Sequence, residues 1–94
     1  MSVLEQVKNE LKTQLGMAAV RAGLVEEAQL PEVILELPKE KAHGDFATNL
    51  AMQLTRIARR NPREIAQAIV EHLDREKASI ARVEVAGPGF INMF

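Results

Sequence analysis

Three groups of side chains in this 94-residue sequence have the types and spacing to do chemistry. His43-Gly44-Asp45 places an imidazole two residues from a carboxylate, a pair able to share a proton or an ion. The third partner that a hydrolytic site needs is not apparent. Asp45 has a sufficient structural task as a helix cap, and Gly44 suits a tight turn. A small hydrolase using His43 and Asp45 is therefore the weakest functional reading.

Arg56, Arg59, Arg60 and Arg63 form the only basic cluster, a stretch with no acid in it, and could touch phosphates. Solvated helix ends that complement a helix dipole explain the same residues, and the sequence favours that explanation. Arg56 and Arg60, four apart, would share a helical face.

The C-terminal segment is the most informative. In a strand, Ile91 and Met93 point to one face while Phe90, Asn92 and Phe94 point to the other. With Ile91 and Met93 inward, the outer face presents an aromatic ring beside an amide, suited to stacking on an unpaired base and hydrogen-bonding its edge. A one-residue slip would instead bury Phe90 and Phe94, and the alternation alone leaves both registers open. Gly87 and Gly89 around Pro88 are turn residues, though a turn without side chains also admits a ligand closely.

The elements that must position these groups follow from patterning. Ser2 through Glu5 has capping-box form, and Val3, Leu4, Val7, Leu11, Leu15, Ala18, Ala19 and Ala22 make one apolar helical stripe ending near Arg21 and Gly23. Val33 to Leu37 reads as a strand with Val33, Leu35 and Leu37 on its buried face. Asp45 is expected to cap a second helix that carries Phe46, Leu50, Leu54, Ile57 and Ala58 inward. Asn61-Pro62-Arg63-Glu64 is a sharper start signal for a third helix, with Ile65, Ile69, Val70 and Leu73 inward. Residues 80–86 alternate as a strand, Gly87-Pro88-Gly89 turns the chain, and residues 90–94 return as its hairpin partner. The expected fold is α+β: three helices packed on one face of a small antiparallel β-sheet, ending in a hairpin.

Composition narrows the function. A chain of this length fits a single domain over residues 1–94, with little material for a deep catalytic cleft. The absence of cysteine and the two distant histidines exclude a thiolate cluster or zinc finger, so no metal site is expected. No apolar run is long enough to span a bilayer and the N-terminus has no signal-peptide form, so a cytoplasmic location is expected. Twelve Lys and Arg against 13 Asp and Glu argue against a strong, sequence-independent grip on phosphate while leaving local RNA contact open. Walker, GxGxxG, GxSxG and HExxH patterns do not occur.

Three strings carry further information: His43 through Ala51, Asn61 through Ala66, and Val83 through Asn92. In order and spacing they resemble the N-terminal additional domain of bacterial arginyl-tRNA synthetases, a likeness that covers essentially the whole chain. The resemblance implies a recognition module that precedes a class I catalytic body and contacts the D-loop at the outer corner of tRNA(Arg). In that family the strand after the Gly-Pro turn supplies an aromatic residue and an amide to a D-loop base, which map onto Phe90 and Asn92, with the Gly87 backbone at the edge of the contact. Gly44 and Asp45 carry over only as a structural turn.

The family's ATP-binding motifs and anticodon-binding domain are not among these residues. The resemblance thus implies no catalytic residue and no cofactor in this segment, with ATP and magnesium serving the complete ligase. It also implies partners in tRNA(Arg) and the remainder of a synthetase chain. The end at Phe94 looks like a cut at a domain boundary. The rival reading is a protein-binding module that uses the open sheet face.

Overall fold

The computed structural model describes residues 2–94, apart from the side chain of Lys41. The first helix, α1 (Val3–Arg21), starts where the sequence says: the Ser2 hydroxyl accepts a hydrogen bond from the Glu5 amide at 3.1 Å, satisfying one of the donors a helix start leaves unpaired. Its stripe is buried only from Leu11 onward. Val3 and Leu4, expected inward, are exposed because the first turns of α1 extend past the sheet and helices that bury the rest. At the other end Arg21 donates to the His72 carbonyl at 2.6 Å, tying α1 to the end of the last helix.

The strand expected over residues 33–37 shrinks to β1 (Leu35–Glu36), preceded by the buried Val33. Leu37, expected inside, is 61% exposed, since the chain leaves the sheet before its side chain can turn inward.

The largest correction lies at Asp45, which does not cap a helix. Its backbone N–H donates to the Met93 carbonyl at 2.8 Å, and Phe46 to Thr48 follow as a strand, β2. Phe46 is therefore a half-buried strand residue packed against the core. Gly44 makes this approach possible. Its φ is +95°, and a Cβ there would lie 2.5 Å from the Met93 carbonyl oxygen, so a side chain would force the strands apart.

Helix begins only at Leu50, where Thr48 Oγ1 accepts from the Leu50 amide at 3.3 Å and donates to the Ile34 carbonyl at 2.9 Å. In place of the one helix expected here there are two short ones, α2 (Leu50–Gln53) and α3 (Thr55–Ala58). Ile57, expected inward, is exposed. The last helix, α4 (Pro62–His72), bears out its signal: Asn61 Oδ1 accepts from the Glu64 amide at 2.9 Å and Pro62 occupies the first turn.

The hairpin is also present, with β3 (Val83–Ala86), shorter than the expected 80–86, and β4 (Phe90–Met93). All pairings are antiparallel and the strand order is β1-β2-β4-β3, which makes β4 a central strand. One continuous core joins Leu11, Leu15 and Ala18 of α1, Leu50 and Leu54, Ile65 and Ile69 of α4, and Ile91 and Met93 of β4. The α+β class is thus as expected, with a fourth helix and a second central strand that the sequence did not disclose.

Candidate nucleic-acid interface

The register of β4 decides which residues face outward. Ile91 pairs with Thr48 on one side and Val85 on the other, and Met93 with Phe46 and Val83, so these rows lie against the helices. Ile91 and Met93 are 0% and 1% exposed, each burial stabilising by about 1.5–3 kcal/mol. Phe90, opposite Ala86, and Asn92, between Ala47 and Glu84, consequently belong to the other face.

That face is not flat. The segment after β1 folds over one side of it, so that Glu36, Pro38, Lys39, Glu40 and His43 form a wall opposite Gly87 and Pro88. Ala47, Ala86, Phe90 and Asn92 lie in the same groove, whose volume is about 540 Å³. No local pattern in residues 36–43 signals this wall. Only the β2–β4 pairing, hidden by the helical reading of Asp45 and Phe46, brings residues 36–43 beside the hairpin.

Within the groove Asn92 is 7% exposed, yet its side-chain amide has no hydrogen-bond partner among the described residues. The amide atoms are not wholly sealed and keep some exposure toward the groove. A buried amide costs free energy unless it is paired, and this one can pair with what enters the groove. Phe90 is half-buried, and its ring stands close to Gly87: a methyl placed on Gly87 would meet Phe90 Cδ2 at 3.8 Å. An aromatic surface and an unpaired donor–acceptor group, two residues apart on one strand, match the face and the edge of a planar heterocycle.

Phe94 does not join them. Its ring carries the Arg82 guanidinium 4.0 Å from the centroid and borders a recess with Val7, Leu11 and Ile80.

The arginines are dispersed in role. Arg59 ends α3 in a left-handed conformation, φ 54°, so Arg56 and Arg60 do not share a continuous helical face. Arg60 Nε lies 3.6 Å from a Glu64 carboxylate oxygen. Arg63 donates through Nη1 to the Gly87 carbonyl, which joins α4 to the β3–β4 turn. Arg56 is exposed.

His43 and Asp45, both exposed, share no hydrogen bond, and His43 instead stands 4.0 Å from Glu40. Among the described residues no three His, Cys, Asp or Glu side chains converge to hold a metal ion, and no helix is long and apolar enough to cross a membrane.

The layered α+β fold thus carries, on its outer sheet face, a groove lined by an aromatic ring and a side-chain amide. Residues 3–94 match the family described as the arginyl tRNA synthetase N terminal domain. The whole chain is 56% identical to an arginine–tRNA ligase of Geobacillus kaustophilus, 57% to one of Geobacillus thermodenitrificans and 53% to one of Bacillus subtilis. The chain belongs to the arginyl-tRNA synthetase N-terminal domain family. It spans 17% of the length of each of these relatives.

Proposed function

We propose that this chain is the tRNA-contacting N-terminal module of an arginine–tRNA ligase, touching the D-loop of tRNA(Arg) through the groove on its outer sheet face. Phe90 stacks on an exposed base, Asn92 reads its edge, and the Gly87 backbone borders the contact. The observation that carries this reading is Asn92 itself: buried, central in the sheet, its side-chain amide without a hydrogen-bond partner among the described residues.

A near-neutral chain suits such a role, because stacking and edge recognition select a base without a strong field. Most phosphate contacts then come from the rest of the ligase, in the cytoplasm, where ATP and magnesium also serve arginine activation.

Each stacked base is worth about 1–3 kcal/mol, so the module adds selectivity to binding that the ligase body already supports. The test is Phe90→Ala and Asn92→Ala in a full-length ligase carrying this module. Both are expected to lower kcat/KM for tRNA(Arg) with the melting midpoint little changed. Unaltered efficiency in both would refute the contact. A protein partner retained after RNase treatment and lost in both variants would favour the rival protein-binding reading.

A further inference from the structure

Arg63 has the character of a phosphate-binding arginine, being a cation in the basic cluster at the start of α4. Its guanidinium is nonetheless committed, since Nη1 donates to the Gly87 carbonyl across the gap between α4 and the hairpin turn. That turn is held at two points. Gly89, at φ +137°, packs so closely on the first turn of α4 that a Cβ there would stand 2.8 Å from Pro62 Cβ and 3.0 Å from the Pro62 carbonyl oxygen. Gly87, the residue Arg63 grips, is a neighbour of the Phe90 ring, which a Cβ on Gly87 would meet at 3.8 Å from Cδ2. The Arg63 guanidinium is therefore bonded to the Gly87 peptide, and that peptide stands next to the Phe90 ring, three residues along the same turn.

We infer that Arg63 is a positioning residue for base recognition: it fixes the Gly87 peptide, and through it the Phe90 ring, in the orientation that stacks, and it does not bind phosphate. The inference rests on the RNA-binding reading above and adds to it a residue that never meets the RNA. The two roles differ measurably. A phosphate contact contributes to the salt dependence of binding and acts independently of Phe90. A positioning contact leaves the salt slope alone and loses its effect once the ring is gone.

The experiment uses a full-length ligase carrying this module, with tRNA(Arg) as the probe, and compares Arg63→Ala, Phe90→Ala and the double variant. Arg63→Ala is expected to raise KM for tRNA by roughly 2- to 12-fold, the range of one lost hydrogen bond, with kcat unchanged. The salt slope of binding should match the parent enzyme, and the double variant should be no weaker than Phe90→Ala alone. If Arg63→Ala lowers the melting midpoint, Arg63→Met, which keeps the stem and removes the donor, takes its place.

A slope reduced by about one unit overturns the inference in favour of a phosphate contact. Independent, multiplicative losses in the double variant, or an Arg63 variant indistinguishable from the parent while Phe90→Ala is impaired, overturn it and leave the RNA reading intact. A Phe90→Ala enzyme with unaltered KM overturns the positioning role, and if Asn92→Ala is unaltered as well the RNA reading itself is refuted.

Discussion

Ile91 and Asn92 are consecutive on the central strand, yet the two faces they occupy are built to opposite rules. On the inner face Ile91 and Met93 are enclosed by apolar side chains of α1, α2 and α4. On the outer face Asn92 lies in a row with Glu36, Ala47 and Glu84, and its amide meets no partner. One face gives up surface to gain stability. The other keeps a side-chain amide with no partner among the described residues, which is what the proposed base-reading role of Asn92 requires.

The sharpest way to break this contrast is at the inner face. Ile91→Ala leaves a cavity among residues that have little room to collapse, and a loss of about 2–5 kcal/mol is expected. Denaturant unfolding of the variant measures it. A loss below about 1 kcal/mol would mean that the two faces are not distinct in packing. Gly44→Ala comes next, because it drives a methyl into the Met93 carbonyl and holds alanine at φ +95°. Strain of this kind costs about 1–3 kcal/mol, and hydrogen exchange at the Asp45 amide should rise as the β2–β4 contact opens. Fast exchange confined to the outer residues, with Asp45 still protected, would contradict this.

How much of the contrast was legible in the sequence depends on the range of the interactions. The caps at Ser2 and Asn61 are local, three residues from side chain to amide, and the sequence shows them directly. The hairpin is nearly as local, because its glycines and its alternation lie within residues 83–93. Strand β2 was hidden for the opposite reason. Three residues, Phe46–Thr48, are too few for a period, and their partner strand lies more than 40 residues further along. Asp45 satisfies the composition rule for a cap, but the Met93 carbonyl takes its amide into the sheet. The same non-local pairing built the groove wall from residues 36–43, so half of the candidate site was invisible even though Phe90 and Asn92 were not. Register itself was ambiguous by pattern, and packing of α4 on the sheet resolved it by taking Ile91 and Met93.

On the outer face the expected order of effects reverses. Phe90→Ala should weaken tRNA binding by about 1–3 kcal/mol, the worth of one stacked base, while moving stability less than Ile91→Ala does. Parallel titration of tRNA(Arg) and thermal melting separates the two. A variant that loses stability and binding in equal measure would make Phe90 a core residue like Ile91.

The finest test replaces Asn92 by leucine, similar in size but without the amide. If the amide were structural, its removal would break a hydrogen bond and cost stability, yet no such bond exists among the described residues. Exchange of an unpaired buried amide for an apolar side chain should therefore be neutral or slightly stabilising. Recognition should move the other way, because leucine cannot donate to or accept from a base edge, and a loss of about 0.5–1.5 kcal/mol in tRNA affinity is expected. Opposite signs in the two measurements, on one ligase variant, would place the cost of Asn92 in folding and its return in binding. A drop in both would return Asn92 to the core side of the comparison.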